Sequence, residues 1–474
     1  MKILFVGSEA VPFSKTGGLA DVLGALPKEL VKKGIDARVI LPKHGVTKNK
    51  YDQEMTKIVD FYVNVGSKKE YVGIEFIKLD GVTYYFVDNE YYFGFRDTLY
   101  GHYDDGERYG FFSNAVLKSL ELIDFIPDII NVADWPTGLI PYLYNKKFKH
   151  RPAYKNIKTM FTIHNIAYQG IFPKDLLVHL DVEFGNELEH DGMINFLKCG
   201  ISSADYISTV SQTYANEILY DYFSFGMSEI LRSRQDDLYG IINGLDYDKF
   251  SPDVDNHIVY NYSTRNYLKG KKTNKEALMN YFGLTNPKLP LIGIVSRLTT
   301  QKGFDLIEEA IEGILQRKDA QFAILGSGDS NIEQYFNYLK ERFPNSMGVY
   351  IGYSEEMANK IYAGSDLFLM PSRFEPCGLA QLISLKYGTL PIVRKTGGLK
   401  DTIKPYNKFT KEGTGFSFET YDSCDMLEAF NQAIEVYKDK PTWNKLVKNA
   451  MNEDFSWEMS AGKYIDLFKK LMEE

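Results

Sequence analysis

At 474 residues, with 44% apolar and 25% charged side chains, the chain has ordinary globular composition and is long enough for two to three domains. Its formal net charge of −8 argues against nucleic acid or an anionic membrane surface as the main partner, so an anionic substrate needs a local basic pocket. Cys199, Cys377 and Cys424 show no metal spacing and no disulfide framework, no run approaches the ~18 apolar residues of a membrane span, and the opening apolar stretch stops at Gly7-Ser8-Glu9, too early for a signal peptide; a soluble, cytoplasmic protein is expected.

Lys2–Val6 reads as a first strand, and Lys15-Thr16-Gly17-Gly18-Leu19-Ala20-Asp21 follows it into a helical pattern that runs through Lys33. Glycines let backbone approach a ligand closely, and a helix start offers unpaired N–H groups and positive partial charge. Lys15 adds a full charge and Asp21 an acceptor for hydroxyls. This stretch reads as the floor of a phosphate and sugar site; the plainer alternative is a turn before a helix. Ala37–Leu41, Tyr84–Val87, Ile129–Val132, Thr159–Ile163, Tyr206–Val210 and Leu238–Ile242 read as further strands. Leu19–Lys33, Arg108–Ile123, Trp135–Asn145 and Gln212–Tyr220 read as helices between them. That alternation predicts a parallel sheet with helices on both faces. A β-rich insertion at about 47–83 breaks the rhythm, with Ile58–Val65 and Tyr71–Leu79 as hairpin strands.

Asp134 stands just past Ile129–Val132, and His164 and Asn165 just past Thr159–Ile163. Polar residues at the ends of two strands of one sheet point into one crevice. No nucleophile elbow accompanies them, so a hydrolytic triad is excluded. The other histidines lack metal-ligand spacing.

Composition shifts near Asn243-Gly244-Leu245, where a polar, Tyr- and Asn-rich passage leads to the basic run Lys269–Lys275. We place the domain boundary there: residues 1–245, completed by a C-terminal helix at 457–474, and residues 246–456. The second half resumes the alternation, with strands Leu291–Val295, Gln321–Leu325, Val349–Ile351, Leu367–Met370 and Leu390–Val393. Helices are expected at Phe304–Arg317, Asn331–Arg342, Glu355–Ala363 and Leu379–Tyr387, and the tail from Trp443 reads as helical. The fold class is α/β, two doubly wound Rossmann-like domains whose ligands sit at strand carboxyl ends, in a cleft between them.

Arg297 and Lys302 flank a short turn after the first strand of the second half; two cations beside a helix start read as an anion site, the plainer alternative being a solvated loop with ordinary surface charges. A diphosphate leaving group needs such cations, because charge builds on it as its bond breaks. In Pro371-Ser372-Arg373-Phe374-Glu375-Pro376-Cys377-Gly378-Leu379-Ala380, proline biases Glu375 to an extended backbone. That holds its carboxylate beside bound phosphate, with N–H groups from Gly378 and Leu379 close by. The words of the opening motif recur as Lys395-Thr396-Gly397-Gly398-Leu399-Lys400-Asp401, serving the nucleotide side or turning the chain.

Taken together, Lys15–Val22, Asp134-Trp135, His164–Gly170, Thr209–Ser211, Ile242–Asp246, Ser296–Gly303, Ile351–Tyr353, Ile361–Asp366 and Pro371–Leu379 with Lys386–Pro391 resemble glycogen synthases and the related starch synthases, retaining glycosyltransferases of the two-domain GT-B fold. The resemblance covers nearly the whole chain. It implies transfer of glucose from ADP-glucose, or UDP-glucose, to the non-reducing-end 4-hydroxyl of glycogen or another α-1,4-glucan, with no metal or other cofactor. It further implies that Lys15, Arg297 and Lys302 hold the diphosphate with Gly18 close by, and that Tyr353 stacks on the base. Asp134, His164 and Asn243 would contact the transferred glucose. Glu375 would orient that glucose and stabilise its transition state, Asp21 would line the donor site, and Asn165, Cys377, Gly378 and Leu379 belong to the matching motifs. Bacterial-type length points to ADP-glucose. The chain departs from the family at Ala380, where Thr is usual, and matches it only loosely at Tyr91–Phe93 and Tyr100–Gly106. A related transferase with another acceptor is the alternative, disfavoured by Ile383 where many such enzymes carry a second Glu. A glucan phosphorylase lacks its cofactor-lysine signature here, and a non-catalytic nucleotide-sugar or glucan binder is disfavoured by the charged residues retained.

Overall fold

The computed structural model describes residues 1–180 and 182–473. The chain divides into two units, Met1–Gly244 together with the segment from Trp457, and Leu245–Ser456. The strands of the first are β1 (Lys2–Val6), β2 (Asp36–Pro42), β3 (Thr56–Val65), β4 (Lys68–Leu79), β5 (Val82–Asp88), β6 (Ile129–Ala133), β7 (Lys158–Ile163), β8 (Ile171–Phe172), β9 (Glu189–His190), β10 (Met193–Asn195), β11 (Tyr206–Thr209) and β12 (Leu238–Gly240). In β1, Ile3 and Phe5 enter one core and Leu4 and Val6 another, all buried. A strand apolar on both faces is stable only with layers on both sides, and that continuous pattern makes these short runs parallel strands.

The main sheet has nine strands in the order β12-β11-β7-β6-β1-β2-β5-β4-β3. Pairs from β12 to β5 are parallel; β3 and β4 form an antiparallel hairpin that pairs through β4 with β5. The β-rich insertion is thus the edge of the main sheet, not a separate layer. β8, β10 and β9 make a small antiparallel sheet. The stretch expected as one helix over Trp135–Asn145 is broken into a turn Trp135–Thr137, a helix Leu139–Leu143 and a wide turn Tyr144–Phe148. Pro136 and Pro141 each lack an N–H, and Thr137 Oγ1 donates back to the Ala133 carbonyl at 2.8 Å, which fixes the chain directly after β6.

In the second unit, β13 (Leu291–Val295), β14 (Gln321–Gly326), β15 (Met347–Ile351), β16 (Leu367–Met370), β17 (Leu390–Arg394) and β18 (Phe416–Phe418) form one fully parallel sheet, ordered β15-β14-β13-β16-β17-β18. The basic run before it lies in a helix, Tyr267–Phe282, that has no apolar stripe to announce it. Two of its lysines are interior hydrogen-bond donors: Lys275 Nζ pairs with Asp366 Oδ2 at 2.7 Å and Lys271 Nζ donates to the Ser365 carbonyl at 2.6 Å. Burial pulls Lys271 down to about 7. The helical tail is also more than one element. Lys440–Asn452 packs in the second unit, whereas Trp457–Glu473 returns to the first, where Phe468 meets Phe5 with ring centroids 6.3 Å apart. Among the described residues no helix is long and apolar enough to cross a membrane.

Candidate functional site

Strand order decides where each sheet can hold a ligand. A crevice opens outside the carboxyl ends where connections leave in opposite directions. In the first unit that point lies between β1 and β6, since the chain proceeds outward through β2 and β5 on one side and through β7, β11 and β12 on the other. The loop after β1 carries Lys15, Gly18 and Asp21; β6 leads to Asp134, β7 to His164 and Asn165, and Asn243 lies three residues past β12.

Lys15 Nζ pairs with Asp21 Oδ1 at 2.7 Å. The loop between them is held from below by Glu9, a residue the sequence reading passes over. Its Oε2 accepts from the Thr16 N–H, from Thr16 Oγ1 at 2.8 Å and from the Gly17 N–H at 3.4 Å. Burial raises the Glu9 carboxyl above the usual carboxylate range. The available signal was a carboxylate just past an apolar strand and followed by Ala10-Val11-Pro12-Phe13, which must find donors if it is buried. Gly18 begins the helix Gly18–Lys32, is exposed, and a Cβ there would meet nothing within 4 Å. Protein packing does not demand this glycine, so the space above it is open to a ligand.

Asp134 sits at φ 56° and ψ −178°, a strained conformation for a residue with a Cβ. Its Oδ1 accepts from the His164 N–H at 2.7 Å and the Asn165 N–H at 3.4 Å, which ties the ends of β6 and β7 together. Asn165 Oδ1 accepts from the Ala167 N–H at 3.1 Å and turns the chain. Burial pushes Asp134 up to about 7 and His164 down to about 4, so the imidazole is neutral near pH 7 and can hydrogen-bond a sugar hydroxyl without adding charge. Asn243 is buried, and its side-chain oxygen has no hydrogen-bond partner among the described residues. An orphaned buried acceptor costs free energy unless a ligand supplies the donor.

The Asp134 shift has a measurable sign. Unfolded, the group titrates near ~3.9; folded, at about 7. Its contribution to stability is complete below the unfolded value and is lost as pH rises through the folded one. Asp134→Asn keeps an acceptor for the two N–H groups and removes the ionisation. At pH 8 the unliganded variant is expected to be more stable by ~1–3 kcal/mol, a gain that shrinks as pH falls toward 4. Thermal denaturation at pH 8, 6.5 and 5 checks this; a shift independent of pH would contradict it.

In the second unit the reversal lies between β13 and β16. Arg297, Lys302, Glu375, Gly378, Leu379 and Ala380 line one cavity of about 180 Å³ there. Lys302 Nζ donates to Glu375 Oε2 at 2.7 Å, and Ser372 Oγ, also missed in the sequence, donates to the same oxygen at 3.0 Å. Glu375 is buried, while Arg297 is exposed. Two predicted residues stand apart from this cavity. Cys377 is buried, with its carbonyl accepting from Gln381 Nε2 at 2.9 Å. Tyr353 follows β15, two strands from β13, and is 82% exposed, so its ring face is free to stack. Among the described residues no cluster of His, Cys, Asp and Glu is arranged to hold a metal ion.

The repeated motif has a different task from the first copy. The Gly398 N–H donates to the Glu375 carbonyl at 3.0 Å and to the Pro376 carbonyl at 3.2 Å. Gly397 has φ +43°, and a Cβ on it would lie 2.0 Å from the Glu375 carbonyl oxygen; on Gly398, 2.0 Å from that of Cys377. Lys395–Leu399 is the bed on which the Glu375 loop rests.

Residues 2–233 match the family described as starch synthase catalytic domain, and residues 282–453 match glycosyl transferases group 1. The chain is 49% identical over 480 residues to a glycogen synthase of Bacillus cereus strain B4264, with all of both chains covered. It is 47% identical over 477 residues to a glycogen synthase of Exiguobacterium sibiricum, with 99% of each covered. Among solved structures, the catalytic domain of starch synthase IV from Arabidopsis thaliana, bound to ADP and acarbose, superimposes with a TM-score of 0.90 at 31% identity, over 100% of this chain and 99% of that one. A sucrose-phosphate synthase from Thermosynechococcus elongatus matches with a TM-score of 0.63 at 15% identity, over 99% of each chain, a likeness of fold alone. The architecture is the GT-B fold.

Proposed function

The chain belongs to the glycogen synthase and starch synthase family of glycosyltransferases, and from that premise we propose that it transfers glucose from ADP-glucose to the 4-hydroxyl at the non-reducing end of an α-1,4-glucan, with retention of configuration. Full-length identity to glycogen synthases carries this reading. The cations and carboxylate gathered at the switch point of the second unit support it from the chemical side.

In the proposed reaction the bond between the anomeric carbon and the donor phosphate oxygen breaks, and charge builds on that phosphate. Arg297 and Lys302 are the groups placed to stabilise it. The glucosyl centre becomes oxocarbenium-like, and Glu375, held by Lys302 and Ser372, orients the sugar and offsets its positive charge. The acceptor oxygen enters on the face the phosphate leaves, and a departing phosphate oxygen takes its proton, which gives retention with no enzyme nucleophile. The loop Lys15–Asp21 would hold the diphosphate from the first unit. Neutral His164, Asp134 and Asn243 would bind hydroxyls of the transferred glucose. Tyr353 would stack on the adenine. Three cysteines that form no disulfide suit the reducing cytoplasm, where we place the reaction.

Purified protein supplied with glycogen and ADP-glucose or UDP-glucose tests the reading. Labelled glucose from ADP-glucose is expected to enter glycogen in α-1,4 linkage, released by an enzyme specific for that bond. No chain extension from either donor would overturn it.

A further inference from the structure

The second unit holds another cavity, of about 450 Å³, at the amino ends of its strands. Asp366 stands immediately before β16 and Gly388 two residues before β17, and both line it. Because the sheet is fully parallel, this cavity lies at the opposite edge from the one lined by Arg297, Lys302 and Glu375. The reaction proposed above makes no use of it.

Its walls carry four ammonium groups, Lys271, Lys272, Lys275 and Lys440, against two carboxylates, Glu276 and Asp366, in a chain whose net charge is −8. Two of the cations hold the fold. Lys271 Nζ donates to the Ser365 carbonyl at 2.6 Å, the Tyr362 carbonyl at 3.2 Å and Thr389 Oγ1 at 2.5 Å. Lys275 Nζ donates to Asp366 Oδ2 and the Leu289 carbonyl, both at 2.7 Å, and to the Tyr437 hydroxyl at 3.3 Å. An ammonium group has three protons, so this inner pair supplies charge and no spare donor. The outer pair has donors to spare. Lys440 Nζ lies over the Tyr437 ring, 3.4 Å from its centre, with no carboxylate paired to it among the described residues. Lys272, its side chain 78% exposed, reaches Glu276 only at 4.0 Å. The carboxylates nearby are engaged: Asp366 Oδ2 also accepts from the Leu291 N–H at 2.9 Å, and Asp439, next to Lys440, pairs with Lys411 and accepts from Thr442. Carbonyl oxygens satisfy donors without neutralising them. Burial accordingly lowers both Lys271 and Lys440, and the charge of Lys275 adds to this against the pull of Asp366. A wall with surplus cations and free donors at its mouth suits a multiply charged oxyanion. Leu268, Trp443 and Val447 add apolar surface beside them, and the volume is that of a small-molecule site.

We propose that this cavity binds a small phosphorylated metabolite, its phosphate held by Lys272 and Lys440 and its carbon skeleton set against Leu268 and Trp443. A ligand there touches the amino ends of β16 and β17, the two strands whose other ends carry the Glu375 loop and its bed. Isothermal titration of the full chain with ribose 5-phosphate, inorganic phosphate and ribose tests the site. Ribose 5-phosphate is expected to bind, inorganic phosphate to bind ~5-fold or more weakly for want of apolar contact, and ribose not to bind. Lys272→Gln/Lys440→Gln is expected to weaken ribose 5-phosphate ~10-fold or more at an unchanged melting temperature, since neither side chain holds the fold. Lys302→Ala, which strips a cation from the cavity beside Glu375, is expected to leave that affinity within ~2-fold of wild type. The reverse pattern, with affinity lost in Lys302→Ala and kept in the double variant, would put the phosphate beside Glu375 and overturn the proposal. Failure of ribose 5-phosphate to bind the wild type, or inorganic phosphate binding as tightly, would overturn it too.

Discussion

Glu375→Gln is expected to lower kcat with ADP-glucose and glycogen by ~10²–10³-fold while leaving the melting temperature close to that of the wild type. The amide keeps the shape of the side chain and an acceptor for Ser372, so what is removed is charge. That charge matters twice. In the proposed reaction it faces the carbon that becomes oxocarbenium-like, and in the structure it anchors Lys302, whose Nζ lies 2.7 Å from Oε2. Lys302→Ala is expected to cost a similar factor by leaving the departing diphosphate with fewer cations. Because the two residues touch, their effects are not independent, and the double variant should be less impaired than the product of the single losses. Steady-state rates for the three variants, with circular dichroism to confirm folding, decide the matter. Rates within ~3-fold of wild type for both single variants would remove the pair from the chemistry.

The second large effect separates the two copies of one motif. Gly398→Ala places a methyl group 2.0 Å from the Cys377 carbonyl oxygen, and the obstacle is backbone that cannot step aside without moving the Glu375 loop. A loss of ~2–4 kcal/mol in stability and most of the turnover is expected. Gly18→Ala meets no obstacle in the protein, and alanine is the better helix former by ~1 kcal/mol. Its melting temperature is expected to hold or rise, while the KM for ADP-glucose rises ~10-fold or more if, as proposed, the methyl group occupies the donor's space. Melting curves and donor saturation on both variants test this contrast. An unstable Gly18→Ala, or a Gly398→Ala of wild-type stability and rate, would mean the two motifs have been assigned the wrong way round.

This pair also marks what the chain discloses locally and what it withholds. Lys15–Asp21 and Lys395–Asp401 differ in one word, and nothing within either says which has open space above it and which has the Glu375 loop. That distinction belongs to what folds across from each copy. The buried strands were legible because being covered on both faces writes a short continuous apolar run, as in Ile3–Val6. Their order was not, since it is set by pairings between distant segments, yet strand order is what gathers Asp134 beside the Lys15 loop and Glu375 beside Lys302, 73 residues away. The helix Tyr267–Phe282 escaped for the opposite reason: Lys271, Asn274 and Lys275 share its docked face with Tyr267, Leu278 and Met279, which interrupts any apolar stripe. Glu9 and Ser372 were hidden because their work is to hold other groups, and a holding residue carries no motif of its own.

The return of the last helix has a consequence for how the protein is made. Leu245–Ser456 is one uninterrupted stretch and possesses its whole sheet and core before the final helix leaves the ribosome. The unit that begins with Met1 does not: Tyr464, Phe468 and Leu471 belong to the same buried cluster as Ile3, Phe5 and Leu23. The part translated first is thus the part completed last, and during synthesis its unclosed apolar face is exposed to chaperones and neighbouring chains while the later half is already sealed.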